Sequence, residues 1–311
     1  MTMSNTSNFS TIFIHIPKTA GTTLRSIIED HFPAEQLYLL YIGNALHPGM
    51  EEFSGLTDEE KRKFKIFCGH LSFGFHRHLP QPSKYITVLR DPVDRTVSLY
   101  HHLLQEKHAR DDQSVADIQS RIKRDNLTLE GFVASGITLD TDNAQTRILS
   151  GTSPKFGQCG RQTLEDAKSN LRDHFLVAGF TERFDESVML LHKLLGWPVP
   201  FYVKKNISTN RSKTGVLPQS TLETIKQYNE LDAELYRYAQ EIFDAQIEEQ
   251  GATFKKDVED FKNANRFAKD LLQDLPAKAL LQKQIDDLMN SWSWKITAPM
   301  RKLVEMVKKQ Q

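Results

Sequence analysis

Short apolar runs that alternate with helical patterns are the feature that most restricts the fold of this chain. Four runs have the length and the β-branched content of buried strands: TIFIHI (11–16), KIFCG (65–69), YITVL (85–89) and HFLVAGF (174–180). Helical patterns follow the first, third and fourth of them. Strands that alternate with helices predict an α/β protein with a mainly parallel central sheet.

The remaining segments differ from this alternating part in composition. Residues 102–170 are polar and helical in pattern, and we interpret them as an insertion in position to cover a site. Beyond about residue 220 the pattern is helical only, and it becomes charged and lysine-rich after Gly251. We therefore predict a main domain over residues 1–250 and a helical C-terminal tail over residues 251–311.

Charge and cysteine content exclude several classes of protein. Forty basic and forty acidic residues cancel, so no global field indicates nucleic acid and any anion site must be local. Two cysteines, Cys68 and Cys159, do not form a disulfide framework, and no Cys/His cluster has the spacing of metal ligands. The sequence has no signal-peptide pattern and no apolar run near the roughly 20 residues of a membrane helix, so we expect a cytoplasmic protein.

The first strand leads into the turn PKTAGTT (17–23), which has the composition of an anion-binding site. A helix that starts directly after such a turn presents unpaired N–H groups at its positive end. Lys18 adds a positive charge, and Gly21 lets a ligand approach the backbone. Threonine hydroxyls add donors at Thr19, Thr22 and Thr23. The lysine precedes the glycine, so this is not a Walker A loop; an ordinary turn with a surface lysine is the alternative.

A second candidate anion site follows the strand at 85–89. Arg90 ends that strand, and Ser98 lies eight residues later on the next predicted helix, which has Pro92 in its first turn. A guanidinium is a preferred phosphate ligand, and a serine adds a donor. Open parallel sheets bind ligands at the edge where the carboxyl ends of their strands lie. Both candidate sites follow strands and would lie at that edge, so a ligand with two separated anionic groups would span them. Pairing of Arg90 with Asp91 is the alternative.

These two stretches resemble the cofactor signatures of sulfotransferases that use 3′-phosphoadenosine 5′-phosphosulfate (PAPS). The likeness is greatest to the carbohydrate group that includes heparan sulfate 2-O- and 6-O-sulfotransferases, and it extends over about residues 11–245. It also includes FCGHLSFG, DNAQTRILSG, LVAGFTERFDESVMLLHKLLG and NISTNRSK. The resemblance implies a P-loop-like three-layer sandwich and transfer of a sulfuryl group from PAPS to a hydroxyl of a sugar or glycan.

The resemblance also implies which residues hold PAPS. The turn from Lys18 to Thr23, with Ala20 inside it, would hold the 5′-phosphosulfate. Arg90 and Ser98 would hold the 3′-phosphate. A basic loop of the family corresponds to Asn210, Arg211 and Ser212, which we predict as further PAPS ligands.

A base must take the proton of the acceptor hydroxyl as the new bond forms. In the 2-O-sulfotransferase pattern this base lies in a Gly-His-Val stretch after a strand, and Gly69-His70-Leu71 matches it. We therefore predict His70 as the base and Lys18 as the residue that stabilises the leaving phosphate. His15, inside the first strand, is the rival.

Polar residues of DNAQTRILSG suit contact with a hydroxylated or anionic sugar, and we predict that Asn143, Gln145 and Arg147 bind the acceptor. A helix capped by Asp142 and Asn143, with a solvated polar face, is the alternative. A cytosolic chain without a membrane anchor departs from the Golgi members of the family. This suggests a bacterial enzyme that modifies a polysaccharide precursor, a glycolipid or a small glycoside.

Two other functions remain open from the residues alone. One is a P-loop-type kinase of a small molecule, in which Asp91 would bind Mg²⁺. The other is a membrane-surface adaptor that acts through the tail. In SWSWKITAPMRKLVEMVKKQQ (291–311), Met300, Leu303, Val304 and Val307 form an apolar stripe beside basic residues, which suits an anionic membrane surface. Packing of this stretch on the body or on a second chain is the alternative.

Overall fold

A parallel sheet of five strands lies at the centre of the computed structural model, which describes residues 9–40, 49–105, 113–202 and 217–274. The strands are β1 (Ser10–Ile14), β2 (Leu37–Leu40), β3 (Ile66–Gly69), β4 (Ser83–Leu89) and β5 (Phe175–Phe180). Their order across the sheet is β2-β3-β1-β4-β5, and every neighbouring pair is parallel. The predicted α/β fold is confirmed, and the four predicted strands correspond to β1, β3, β4 and β5.

The edge strand β2 was not predicted from the sequence. It has four residues, LYLL, and follows a 3-10 turn at Ala34–Gln36. Tyr38 and Leu40 are buried, whereas Leu37 and Leu39 are half-buried. Four apolar residues are too few to show a period, and β2 is held by pairing with β3 rather than by a pattern of its own.

Helices occupy the connections between the strands. Before β4 these are α1 (Gly21–His31), α2 (Met50–Ser54) and α3 (Asp58–Lys63). Between β4 and β5 they are α4 (Pro92–Leu103), α5 (Gln113–Arg124), α6 (Leu129–Ala134), α7 (Ala144–Ser150) and α8 (Arg161–His174). After β5 they are α9 (Phe184–Leu195), α10 (Gln219–Tyr228), α11 (Glu230–Glu249) and α12 (Phe254–Asp274). In its described part the predicted insertion at 102–170 is helical and contains no strand.

The direction of the connections gives the fold its layers. The connection from β1 to β2 runs one way across the sheet, whereas that from β4 to β5 runs the other way. The right-handed rule for such crossovers puts α1 on one face and α8, which contacts β5, on the opposite face. This three-layer arrangement agrees with the predicted P-loop-like sandwich. The direction changes between β1 and β4, and open α/β sheets bind ligands at such a point.

The core is built on the strands, since Ile12, Phe13 and Ile14 of β1 are completely buried. The chain divides into two compact units, Met1–Lys262 and Asn263–Gln311. Buried core residues continue past Gly251 to Phe261 in the first unit, while the predicted domain limits stay a prediction. Within the described ranges, no helix is both long enough and apolar enough to cross a membrane.

Candidate active site

The turn between β1 and α1 has an unusual backbone. Lys18 and Ala20 adopt positive φ angles of 71° and 63°, a region that residues other than glycine seldom enter. Such residues cost on the order of 1–3 kcal/mol each and concentrate at functional sites. Between them, Thr19 is buried and its hydroxyl donates to the carbonyl of Ile16 at 2.9 Å. This bond corrects the predicted role of the Thr19 hydroxyl, because the turn itself uses that donor.

The N-terminus of α1 is suited to an anion. The helix begins at Gly21, no described side chain caps it, and its first turn contains no acid. Thr22 is exposed in this turn, whereas Thr23 is buried and its N–H bonds to the Ala20 carbonyl at 3.0 Å. The first N–H groups and the positive end of the helix dipole therefore face no acidic side chain of this helix.

The start of α4 is different, although it lies at the same edge of the sheet. Asp91 caps this helix through Oδ1, which accepts from the N–H groups of Val93 and Asp94 at 3.0 Å each. Its carboxylate is therefore bonded as a helix cap. This use of the carboxylate argues against Asp91 as a Mg²⁺ ligand.

Gly21 is required by its packing against a histidine. A Cβ atom at this position would lie 1.9 Å from Cδ2 of the His15 ring. The sequence suggested that Gly21 allows a ligand to approach the backbone. The structure adds a second reason, because the missing side chain leaves the space that the His15 ring occupies at the start of α1.

We expect Gly21→Ala to lower the free energy of unfolding by about 1–3 kcal/mol, the usual cost of forcing an extra group into a packed site. Gly131→Ala is the matched control, because Gly131 also lies in the first turn of a helix and a Cβ atom there would have only ordinary contacts of 3.6 Å or more. Urea unfolding of both variants checks this. Equal stability of the two would show that His15 does not press on Gly21.

The two predicted anion sites are in direct contact. The Nη1 atom of Arg90 donates to the carbonyl of Lys18 at 3.1 Å, and the Arg90 side chain is buried. β1 and β4 are neighbours in the sheet, so their exits lie side by side. Arg90 thus bonds to the β1–α1 turn while the Asp91 carboxylate caps α4. Ser98 is half-buried on α4, about 9 Å along the helix from Pro92.

Both histidines considered as the base lie at this edge. His70 directly follows β3 and is exposed. Its ring centroid lies 4.9 Å from that of His15, in an edge-to-face arrangement. His15 is only 8% exposed, and burial holds the pKa of His15 well below its ordinary value, with further lowering by His70, Arg25 and Lys18. This environment favours the neutral form of His15.

The residues predicted to bind the acceptor are internal, which corrects that prediction. Asn143, Gln145 and Arg147 are 6%, 1% and 4% exposed. The guanidinium of Arg147 bonds to Asp142 and to the carbonyls of Pro154 and Lys155. The Asn143 oxygen accepts from two backbone N–H groups at the start of α11. These polar atoms are already bonded within the protein and do not present a face to a sugar.

Asp232 is a residue of this region that sequence reasoning missed. It is 1% exposed in the first turn of α11, and its carboxylate caps α7. It accepts from the N–H of Gln145 at 3.1 Å and from the N–H and hydroxyl of Thr146 at 2.7 Å each. Burial raises the pKa of Asp232. The sequence holds one signal for this role. Asp232 lies between Leu231 and Leu235, on the apolar side of a helical pattern.

Several predictions lie outside the described residues. These concern Asn210, Arg211 and Ser212 as PAPS ligands, and the membrane-binding tail at 291–311. They stay predictions, as does the cytoplasmic localisation. In the ranges that the structure describes, no group of three or more His, Cys, Asp or Glu residues is arranged to hold a metal ion.

The similarity of this chain to known proteins extends over most of its length. Heparan sulfate 2-O-sulfotransferase 1 of Gallus gallus is 26% identical over 258 residues, which cover 75% of this chain and 70% of that protein. Galactose-3-O-sulfotransferase 3 of Homo sapiens is 25% identical over 239 residues, which cover 72% of this chain and 54% of that protein. The crystal structure of a mouse sulfotransferase complexed with PAP covers 90% of each chain at 12% identity, with a TM-score of 0.34.

A family model gives the broadest of these matches. Residues 4–298 match the model of the family described as Galactose-3-O-sulfotransferase, which is more than half of the 311 residues. The resemblance to carbohydrate sulfotransferases that the two strand-exit motifs predicted is thereby confirmed. This chain belongs to the Galactose-3-O-sulfotransferase family.

Proposed function

We propose that this protein transfers the sulfuryl group of PAPS to a hydroxyl of a sugar or glycan. The observation that carries the proposal is the hydrogen bond between Arg90 and the Lys18 carbonyl. It joins two cationic strand exits at the point where the connections of the sheet reverse direction. A donor with an anionic group at both its 5′ and its 3′ position suits such a pair of sites.

The residues present fit this donor. The uncapped start of α1, with Lys18 beside it, suits the 5′-phosphosulfate, because N–H groups and a positive helix end favour anions. Arg90 suits the 3′-phosphate, since a guanidinium offers several donors in a fixed plane. When bound, PAPS supplies an activated sulfuryl group and a phosphate that can leave.

His70 is the residue we assign to proton transfer. In the reaction, the acceptor oxygen forms a bond to sulfur while the bond from sulfur to the phosphate oxygen breaks. His70 takes the proton of the acceptor hydroxyl. Lys18 and the first N–H groups of α1 stabilise the negative charge that develops on the leaving phosphate. The environment of His15 favours its neutral form, which adds no full positive charge beside the protonated His70.

A carbohydrate acceptor is supported by the relatives, which are named for heparan sulfate and for galactose. His70 is exposed, so an acceptor hydroxyl can reach it from solvent. The internal bonding of Asn143, Gln145 and Arg147 supports a sugar site built from other residues.

Nucleotide binding separates this proposal from the kinase alternative. We expect adenosine 3′,5′-bisphosphate to raise the melting temperature of the protein, because it carries both anionic groups of the donor. ATP with Mg²⁺ lacks the 3′-phosphate and should give a smaller shift. A larger shift with ATP and Mg²⁺ than with the bisphosphate would favour the kinase.

Arg90→Ala is expected to weaken the binding of adenosine 3′,5′-bisphosphate by about 10- to 100-fold, since a hydrogen bond to a charged group contributes roughly 1.5–3 kcal/mol. Binding of AMP, which has no 3′-phosphate, should change little. Isothermal calorimetry with both nucleotides measures this. Arg161→Ala is the control, because Arg161 is exposed and pairs with Glu234 on the surface. A preference for the bisphosphate that survives in Arg90→Ala would make Arg90 a structural residue.

A further inference from the structure

Gln145 holds the backbone of Arg90 by a pair of hydrogen bonds. Its side-chain oxygen accepts from the Arg90 N–H at 3.0 Å, and its side-chain nitrogen donates to the Arg90 carbonyl at 2.9 Å. β4 ends at Leu89, so Arg90 is the first residue beyond the sheet. The amide of Gln145 thus takes the place that the peptide group of a neighbouring strand would have.

Gln145 is itself fixed by two helices that cap each other. Asp232, from α11, accepts from the Gln145 N–H at the start of α7. In return Asn143, which directly precedes α7, accepts through its side-chain oxygen from the N–H groups of Leu231 and Asp232 at 2.9 and 3.1 Å. Asn143 has a φ angle of 48°, a strained value that brings its side chain to α11. All of these side chains are buried.

The neighbours of Arg90 are held in a similar way from the end of β5. The N–H of Thr181 donates to the Leu89 carbonyl at 2.8 Å, and Glu182 accepts from the Asp91 N–H at 3.1 Å. Both backbone groups of Arg90 itself depend on Gln145. Without the two hydrogen bonds from Gln145, the backbone at Arg90 would be able to rotate. The long side chain would then carry its guanidinium away from the Lys18 carbonyl.

We propose that Gln145 is a positioning residue for phosphate recognition. It fixes the Arg90 backbone so that the guanidinium stays beside the β1–α1 turn, where it meets the 3′-phosphate of the sulfuryl donor. This inference rests on the proposed function, and it gives the DNAQTRILSG stretch a role on the donor side of the reaction. Gln145 touches neither donor nor acceptor and acts through Arg90.

The test compares Gln145→Met with Gln119→Met. Methionine has the length of glutamine and lacks the amide. Gln119 is also buried, being 7% exposed, and donates to the Leu103 carbonyl at 2.9 Å in another part of the protein. Calorimetry gives the Kd of adenosine 3′,5′-bisphosphate and of AMP for each variant. The preference is the ratio of the Kd of AMP to the Kd of the bisphosphate. We expect this ratio to fall about tenfold in Gln145→Met and to stay within about twofold of the wild-type ratio in Gln119→Met.

A double-mutant cycle separates positioning from general stability. If Gln145 acts through Arg90, Gln145→Met should change bisphosphate affinity by less than about twofold when Arg90→Ala is already present. A full additional loss in that background overturns the inference, as does an unchanged preference in Gln145→Met alone. If Gln145→Met does not fold, Gln145→Asn replaces it, because its amide is one methylene too short to bond both groups of Arg90.

The same data distinguish a failure of this inference from a failure of the proposed function. A wild-type protein without any preference for adenosine 3′,5′-bisphosphate over AMP removes the proposed 3′-phosphate site, and the inference falls with it. A wild-type preference that Gln145→Met retains leaves the proposed function intact and overturns only the role of Gln145.

Discussion

Lys18→Ala is expected to reduce the rate of sulfuryl transfer by about 10²–10³-fold, the loss seen when one donor to a developing oxyanion is removed. Lys18 lies in the strained turn at the start of α1, and its carbonyl bonds to Arg90. In the proposed reaction the ammonium group of Lys18 stabilises the charge that the leaving phosphate gains. The backbone carbonyl remains after the substitution, so the fold should persist.

Turnover at saturating PAPS and acceptor measures this loss, with circular dichroism to confirm folding. Lys84→Ala is the matched control, because Lys84 lies at the opposite end of the sheet and contacts a backbone carbonyl at the surface. Turnover in Lys18→Ala that equals turnover in Lys84→Ala would remove Lys18 from the mechanism.

His70→Ala is expected to reduce transfer by about 10²–10⁴-fold, the usual contribution of a positioned base. The affinity for adenosine 3′,5′-bisphosphate should stay within a few-fold, because the base contacts the acceptor and not the phosphates. Steady-state kinetics and calorimetry on the same preparation test both parts. His78→Ala serves as the control, since His78 is exposed on the nearby 3-10 helix at Phe75–His78.

The outcome also decides between the two histidines. His15 packs against Gly21, so we expect His15→Ala to lower the free energy of unfolding more than the rate of transfer by the folded protein. Its low pKa makes it a poor proton acceptor at neutral pH. An active His70→Ala together with a folded but inactive His15→Ala would reverse the assignment.

Sequence reasoning succeeded where the determining signal is local. Among the residues that the structure describes, the apolar runs identified four of the five strands, and Pro92 marked the first turn of α4. The glycine and lysine after β1 marked the turn that leads from β1 into α1. All of these features lie within a few residues of the structure that they specify, and hydrophobic period and capping residues are sufficient to reveal them.

It failed where the partner is distant in the chain. Gln145 was predicted to bind a sugar, yet its amide bonds to Arg90, 55 residues away, and its N–H bonds to Asp232, 87 residues away. Arg147, by contrast, pairs with Asp142 nearby, and its further bonds to the carbonyls of Pro154 and Lys155 occupy the guanidinium. A polar residue type shows what it can bond to, and the tertiary fold decides what it does bond to.

Sulfuryl transfer itself tests the central claim most directly. PAPS labelled with ³⁵S is incubated with the protein and with a set of glycans that includes galactose-terminated and uronic acid-containing chains, and the label in the glycan is measured. We expect the wild-type protein to label at least one glycan, with a loss of about 10²-fold or more in both Lys18→Ala and His70→Ala. A folded wild-type protein that labels none of them, or variants that label them as fast as wild type, would contradict the account.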